Sequence, residues 1–379
     1  MKKTTHALRS QIANVFSSLI HLNRKKVEPT KSNHEKTYFF KNSETWNGLN
    51  EPLNNKTDLP INKIEKREGI YSWPSQSISE FSEVALLSKS GLAFDEYEVI
   101  YNANLPNKKS LKIEIKKNPS IIYNFMKNRP GSNTREKKPV LPLLSYRSDN
   151  IYHWISEYLP QLELLNKYRL ETNEQPIVLL EANPPEWKLD SLDLFGYTED
   201  YRKYMNVDEL LLNRCLLCSS RIQSPEFLPS PRELRFLRKT IVGKTNLTEE
   251  IRSDLPRKIY ISREKANNRR VVNQKEIKEY LESKGFVEYT LEDIGFIHQI
   301  LLFRNAETVI APHGAGLTHI IYPSSINVIE FIPQYYPSVY TVLANMLGHN
   351  YQPIIAKKVN SQEDMIVSKE DVDKSLHSV

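Results

Sequence analysis

The stretch that most constrains the fold is residues 307–319, ETVIAPHGAGLTH. Its first part is short, apolar and β-branched, which is typical of a buried strand. A corner of small residues follows, and the apolar residues after it predict a helix. A strand that turns sharply into a helix leaves backbone N–H groups that favour an anion, usually phosphate. We therefore expect Gly314 and Gly316 to let a ligand approach the backbone, with His313 at the edge.

Strands and helices alternate along the rest of the chain. Apolar segments predict strands at 98–101, 111–115, 140–144, 177–180, 209–217, 258–261, 286–289, 327–331 and 352–356. Helical spacing predicts helices at 151–168, 186–195, 232–242, 274–283, 294–304 and 339–347, the first capped by Asp149 or Asn150. This alternation predicts an α/β fold with mainly parallel sheets.

Length and charge divide the chain into parts. The 379 residues suit two domains, predicted at 70–245 and 246–360, between a basic polar leader (1–69) and a polar tail (361–379). The net charge is +6, and residues 1–50 hold nine Lys or Arg against three Asp or Glu. This excess of positive charge suits three kinds of partner: phosphorylated small molecules, nucleic acid and an anionic membrane surface. Without a signal-peptide core, the sequence predicts a cytoplasmic location, with peripheral membrane contact through the basic N-terminus.

Two motifs that suggest metal or redox chemistry have simpler interpretations. Cys215 and Cys218 form a CxxC pair, but a zinc site needs four ligands and a redox pair should begin a helix. We interpret them as two buried thiols in a strand. The Asp-x-Asp of Asp371 and Asp373 lies in the polar tail, and we interpret it as solvated.

Polar residues follow three strands of the predicted C-terminal domain. Ser262 and Arg263 follow 258–261, with Arg269, Arg270 and Asn273 in the next loop; His313 begins the corner; Glu330 ends 327–331. Ligands bind beyond these strand ends in parallel sheets. Arginines would neutralise a diphosphate and a carboxylate would hold sugar hydroxyls, as a nucleotide-sugar site requires. The alternatives are solvated loop arginines and a His313 that caps its own turn.

The same region resembles the DUF563 family, glycosyltransferase family 61. The residues that carry the resemblance are Ile261-Ser262-Arg263, Arg270-Val271-Val272-Asn273, Gln299, Ala306, His313-Gly314-Ala315-Gly316-Leu317-Thr318, Val328-Ile329-Glu330-Phe331-Ile332-Pro333, and Tyr152-His153-Trp154 with Glu157, Leu159 and Pro160. They keep their order over about 140–356. His319 stands where the family often has Asn.

The resemblance implies a GT-B fold, in which two Rossmann-like domains face a central cleft. It also implies an inverting, metal-independent transferase without a cofactor, which moves sugar from a UDP-sugar to a polysaccharide or glycan acceptor, such as a capsular polysaccharide. His153, Glu157 and His313 are the implied catalytic residues. The implied donor-binding residues are Ser262, Arg263, Arg270, Asn273, Gln299, His313, Gly314, Ala315, Gly316, Leu317 and Glu330.

Other interpretations stay open. His153 is either the base that takes the acceptor's proton or a substrate contact, with Glu157 as its orienting partner or as the alternative base. The remaining interpretation of His153 is a packed residue beside Trp154. The whole chain is alternatively a non-catalytic nucleotide or nucleic-acid binder, or a degenerate transferase that serves as an assembly partner. Because basic and acidic residues are mixed outside the leader, we predict no nucleic-acid partner.

Overall fold

The computed structural model describes residues 24–26, 36–41, 44–47, 70–73, 76–87, 91–95, 98–101, 136–219, 228–333 and 339–378. The chain forms two compact units: an N-terminal unit of Met1–Glu44 and Ser72–Phe227, and a C-terminal unit of Thr45–Tyr71 and Leu228–Val379. Both contain sheets and helices, which confirms the α/β class. The GT-B arrangement and the domain limits stay predictions. The predicted strand 111–115 lies outside the described residues.

Among the described residues before 220 there are eleven strands and three helices. The strands are β1 (Arg24–Lys26), β2 (Lys36–Lys41), β3 (Glu44–Asn47), β4 (Ile70–Trp73), β5 (Gln76–Leu87), β6 (Leu92–Asp95), β7 (Glu98–Tyr101), β8 (Val140–Pro142), β9 (Ile177–Glu181), β10 (Arg202–Met205) and β11 (Glu209–Cys218). The helices are α1 (Ile151–His153), α2 (Gln161–Thr172) and α3 (Glu186–Leu194), with a π-helical segment (Trp154–Tyr158) between α1 and α2 and a 3₁₀ turn at Glu199–Tyr201. Strands β3 and β4 form a separate two-stranded sheet.

The sheet of the N-terminal unit is mixed. Its order is β1-β7-β6-β5-β11-β8-β9-β10, with β2 also on β5. Strands β8 to β10 are parallel, as predicted, because helices connect them. Strands β5, β6 and β7 are antiparallel neighbours, since short connections join them and leave no room for a crossover helix. The prediction of a mainly parallel sheet is therefore wrong for this part.

The described part of the chain from residue 228 onward contains six further strands and six helices. The strands are β12 (Lys258–Ile261), β13 (Val287–Tyr289), β14 (Thr308–Pro312), β15 (Asn327–Pro333), β16 (Asn350–Lys358) and β17 (Met365–Ile366). The helices are α4 (Pro231–Lys244), α5 (Glu249–Asp254), α6 (Gln274–Ser283), α7 (Phe296–Asn305), α8 (Val339–Leu347) and α9 (Lys369–Leu376), with 3₁₀ helices at Leu291–Asp293 and Ala315–Ile321. No helix among the described residues is long and apolar enough to cross a membrane.

Strand order in the C-terminal unit fixes where a ligand would bind. The order is β13-β12-β14-β15-β16-β17, and β12 to β16 are all parallel. Tyr260, Ile310 and Ile329 are buried between this sheet and its helices. The chain passes from β12 to β13 in one direction across the sheet and from β14 to β15 in the opposite direction. The neighbouring strands β12 and β14 therefore mark a topological switch point. Doubly wound sheets bind ligands beyond the carboxyl ends of the strands at such a point.

Candidate active site

Arg263 and Gly314 meet at the switch point. Arg263 follows β12 and Gly314 follows β14. A Cβ atom on Gly314 would lie 2.1 Å from Arg263 Nη1 and 3.0 Å from its Cζ. The φ angle of Gly314 is −179°, which any residue adopts, so glycine is required here for space. The structure thus brings together two residues that the sequence predicted to share a site.

Side chains of the protein fill the space beside both corner glycines. A Cβ atom on Gly316 would lie 2.6 Å from Leu291 Cδ1, just as one on Gly314 would collide with Arg263. The missing side chains at these positions therefore make room for protein groups, and the predicted close approach of a ligand to the backbone stays a prediction. Gly314 admits a guanidinium group, and Gly316 admits the side chain of Leu291.

The segment after the corner is helical, as predicted, and the helix, Ala315–Ile321, is of the 3₁₀ type. Its residues from Leu317 to Ile321 are buried in succession, so it lacks the solvent-facing side of an amphipathic α-helix. Seven residues of 3₁₀ helix align few peptide dipoles. The positive charge at the corner therefore comes from arginine side chains.

Arg263 is a half-buried cation whose hydrogen bonds go to a neutral residue. Its Nη2 donates to the backbone oxygen and to Oδ1 of Asn268, at 3.1 and 3.0 Å. Burial lowers the pKa of Arg263, and the positive charge of Arg269 lowers it further. Its Nε has no hydrogen-bond partner within the described residues. An anion would stabilise a guanidinium in this environment, and phosphate matches its geometry.

Arg269 brings a second guanidinium to the same corner. Its Nη1 donates to the backbone oxygen of His313 at 3.5 Å, and its Nε lies 3.7 Å from Glu363 Oε2. Its φ angle is 55°, a left-handed conformation that is uncommon outside glycine. Arg263 and Arg269 therefore concentrate positive charge beside the switch point.

Glu330 holds the side chain of His313 in place. Its Nδ1 lies 2.6 Å from Glu330 Oε1, and its backbone N–H donates to the Phe331 oxygen at 2.8 Å. Tyr351 donates its hydroxyl to the other carboxylate oxygen of Glu330, and Glu330 is 0% exposed. Both oxygens of Glu330 thus have partners inside the protein, and the carboxylate orients His313. The predicted contact of Glu330 with sugar hydroxyls stays a prediction.

We expect Glu330→Ala to lower the free energy of unfolding by about 3–5 kcal/mol, because it breaks a buried, fully paired carboxylate site. Urea unfolding measures this change. Glu307→Ala is the control, since Glu307 begins the same corner stretch but forms an exposed pair with Arg257. We expect that variant to lose about 1 kcal/mol or less. Equal losses in the two variants would contradict the anchoring role of Glu330.

Four other predicted donor residues make contacts within the protein. Arg270 donates to Asp364 Oδ2 from Nη2 at 2.7 Å, and Asn273 donates to the Val367 oxygen at 2.8 Å. Ser262 accepts a hydrogen bond from Gln274 at 2.7 Å. Gln299 donates to the Leu291 and Ile294 oxygens, at 2.9 Å each. These bonds hold the loops around the switch point, and direct donor contacts of the four residues stay predictions.

The N-terminal unit holds the other predicted residues, His153 and Glu157. The Asn150 side chain caps α1, as predicted, and the π-helical segment follows at once. His153 Nδ1 lies 2.5 Å from Glu157 Oε1, so the predicted contact between residues four apart is present. Arg147 donates to the same Glu157 oxygen and lies 3.2 Å from His153 Nδ1. Glu157 is buried, whereas the His153 side chain is 26% exposed.

This cluster can support acid–base chemistry. Glu157 fixes one ring nitrogen of His153, as the carboxylate does in catalytic triads. Arg147 holds the carboxylate in place. Short π segments inside helices are frequent at functional sites, which agrees with a role for this turn. The alternative of a purely packed His153 is less consistent with its partial exposure.

His319 lies beneath the corner without polar partners. It is fully buried, both of its ring nitrogens are unpaired among the described residues, and the rings of Phe296, Phe303 and Tyr322 surround it. Burial lowers its pKa from 6.5 to about 3. The imidazole is therefore neutral at physiological pH and packs as an aromatic ring.

We expect His319→Phe to gain stability relative to the wild type as the pH falls. In the wild type the unfolded chain takes up a proton below about pH 6.5, whereas the folded protein resists it down to about pH 3, so acid favours unfolding. The difference in free energy of unfolding should shift by about 1 kcal/mol or more between pH 7 and pH 4. Exposed His298→Phe, from the neighbouring α7, is the control. A pH-independent difference would show that His319 is not buried as described.

A known family matches a region that contains most residues of both clusters. Residues 151–326 match the family model described as Glycosyltransferase 61. The resemblance to glycosyltransferase family 61 is confirmed. EGF domain-specific O-linked N-acetylglucosamine transferases of Canis lupus familiaris, Pan troglodytes and Mus musculus are each 27% identical over 117 residues, which cover 29% of this chain and 22% of the relative. The alignment thus spans less than a quarter of the length of those relatives. The family match and the relatives both support glycosyl transfer as the activity to be proposed.

Several residues of this candidate site had no clear signal in the sequence. Arg147, Asn268, Tyr351 and Asp364 contact predicted residues, but each is remote from or outside the motifs that carried the resemblance. Arg147 had a weak signal, since it lies in the turn before the capped helix. Cys215 and Cys218 are buried thiols in β11, as predicted. Asp373 is not simply solvated, because it accepts hydrogen bonds from Tyr280 and Lys284.

Proposed function

We propose that this protein is an inverting glycosyltransferase that moves a sugar from a UDP-sugar to a hydroxyl of a polysaccharide or glycan acceptor. The observation that carries the proposal is the guanidinium of Arg263 at the switch point, inside the family 61 segment. Switch points are where doubly wound sheets bind nucleotides. Arg263 has no carboxylate hydrogen-bond partner in the described part of the chain, and such a cation suits a pyrophosphate.

On the donor side, the reaction needs the departing diphosphate to be stabilised. Arg263 and Arg269 supply fixed positive charge, and Arg269 contacts the backbone oxygen of His313, whose ring Glu330 holds. Such preorganised charges act on negative charge that develops on the leaving group. Metal independence is part of this proposal, because the arginines take the place of a metal ion.

On the acceptor side, His153 takes the proton of the attacking hydroxyl while Glu157 and Arg147 hold its ring. The acceptor oxygen bonds to the anomeric carbon as the bond to the diphosphate breaks, so the configuration inverts. The GT-B arrangement, with the two units facing a central cleft, is part of the proposal. So is a cytoplasmic location with peripheral membrane contact.

A thermal-shift panel of UDP-, GDP- and CDP-sugars tests the proposal, because binding raises the melting temperature by mass action. We expect stabilisation by UDP-sugars. The relatives are named for N-acetylglucosamine transfer, so UDP-N-acetylglucosamine is the first donor to test. Salt-sensitive RNA or DNA binding without UDP affinity would favour the nucleic-acid alternative. Donor binding without turnover on any acceptor would favour a degenerate transferase.

We expect transfer to persist in excess EDTA, with a rate within about twofold of the untreated enzyme, because fixed guanidinium groups neutralise the leaving group. Product formation with and without chelator measures this. Loss of activity in EDTA and recovery on adding manganese would overturn metal independence and leave the transferase assignment standing.

A further inference from the structure

The segment after β16 is bound to the loop after β12. We call residues 263–273 the arginine loop and residues 360–367 the clamp segment. The Arg269 N–H donates to the Gln362 oxygen at 2.9 Å, the Met365 N–H donates to the Arg270 oxygen at 2.9 Å, and the Val272 N–H donates to the Met365 oxygen at 2.8 Å. The predicted polar tail is therefore integral to the C-terminal unit.

Asp364 is at the centre of this contact. Its Oδ1 accepts the Arg270 backbone N–H at 2.9 Å, and its Oδ2 accepts Arg270 Nη2 at 2.7 Å and Nε at 3.2 Å. Asn360 donates to Oδ2 at 3.0 Å, and the Asp364 side chain is only 3% exposed. The hydrogen bonds from Arg270 hold the pKa of Asp364 well below its usual value. The carboxylate is therefore ionised at neutral pH, and it binds the arginine loop through Arg270.

Further contacts continue along the clamp segment. Asn273 donates from Nδ2 to the Val367 oxygen at 2.8 Å, and the Val367 N–H donates back to Asn273 Oδ1 at 3.1 Å. Glu363 lies opposite Arg269, with 3.7 Å between the carboxylate and Nε. Both of these residues have positive φ angles, 62° and 55°. Such conformations persist where surrounding contacts enforce them.

The arginine loop sets the geometry of both cations at the switch point. Asn268 accepts both hydrogen bonds of Arg263 Nη2, and Arg269 reaches the His313 oxygen. Residues 262–273 contain no helix or strand of their own, so the clamp segment supplies the backbone partners that order them. A loop released from these partners would hold the cations in place for a smaller fraction of the time.

We propose that the clamp segment is part of the donor site and that Asp364 is a positioning residue, which holds the arginine loop in the conformation that binds a diphosphate. This inference rests on the proposed function. It assigns Arg270 to the loop's attachment rather than to the donor. It also makes the C-terminal segment necessary for donor affinity, although no residue of that segment needs to touch the donor.

Calorimetric titration with UDP tests the inference on wild-type protein, Asp364→Ala and Asp364→Asn. We expect Asp364→Ala to weaken UDP binding about tenfold or more, because apparent affinity falls with the fraction of competent conformers. Asp364→Asn keeps an oxygen for the Arg270 N–H and should recover part of the loss. In turnover, the donor Michaelis constant should rise more than kcat falls. Amide hydrogen exchange in residues 263–273 should accelerate.

The control is Asp371→Ala, because Asp371 lies on α9 and pairs weakly with Lys374 at 3.9 Å. Wild-type UDP affinity in both Asp364 variants would overturn the inference and leave the proposed function intact. Failure of the wild type to bind UDP, GDP or CDP would overturn the proposed function and the inference with it. If Asp364→Ala does not fold, Asp364→Asn decides between these outcomes with the same readouts.

Discussion

Arg263→Ala is expected to lower kcat/KM for the sugar donor by about 100-fold or more. Each charge-assisted hydrogen bond from a guanidinium to phosphate contributes about 1.5–3 kcal/mol, and Arg263 can form two. The leaving diphosphate gains charge as the reaction proceeds, so the loss affects catalysis as well as binding. Initial rates at varied donor concentration measure the change.

Two further variants distinguish the loss of the Arg263 guanidinium from a general effect of substitution on folding. Gly314→Ala keeps Arg263 but places a methyl group 2.1 Å from Nη1, so it should displace the guanidinium and reproduce much of the loss. Gly295→Ala is its matched control, because a Cβ atom there would meet nothing within 4 Å. Folded Arg263→Ala protein with a donor kcat/KM within about threefold of the wild type would contradict the assignment of this site.

His153→Ala is expected to lower kcat by about 10²- to 10⁴-fold, the range over which a positioned general base accelerates a reaction. Donor affinity should stay unchanged, because His153 acts on the acceptor hydroxyl. Glu157→Gln should give a smaller loss, since the ring would remain near its position without the carboxylate. Transfer kinetics and UDP titration on the same preparations measure both quantities.

The control for these variants is His377→Ala, which removes an exposed histidine from the C-terminal cap of α9. If His153→Ala keeps kcat within about threefold while the protein stays folded, His153 is a packed residue and the base is elsewhere. A parallel loss of donor affinity would instead place His153 in the donor site.

Local patterns predicted most elements of the C-terminal unit. The bounds of β12, α6 and α8 were predicted from apolar periodicity and flanking glycines. Gly285 and Gly348, with φ angles of 84° and 72°, end two of these helices as expected. Because sheet order places adjacent strand ends together, the meeting of Arg263 with the corner was also predictable. The 3₁₀ type of the helix after the corner was not predictable, because the burial of successive residues removes the periodicity that distinguishes helix types.

Long-range pairing could not be read from the sequence. Arg270 and Asp364 are 94 residues apart, and Tyr351 is 21 residues from Glu330. Nothing in a polar tail indicates which loop it will contact, because hydrogen-bond partners are chosen by tertiary geometry. For the same reason Glu330 was assigned to a ligand, whereas the fold turns its carboxylate toward His313 and Tyr351.

Calorimetric comparison of UDP with uridine, in the wild type and in Arg263→Ala, tests the central claim most directly. If Arg263 binds the diphosphate, the wild type should prefer UDP to uridine by about 100-fold or more, and Arg263→Ala should lose most of that preference while still binding uridine. An unchanged preference in the variant would show that the diphosphate is bound elsewhere and would contradict the account.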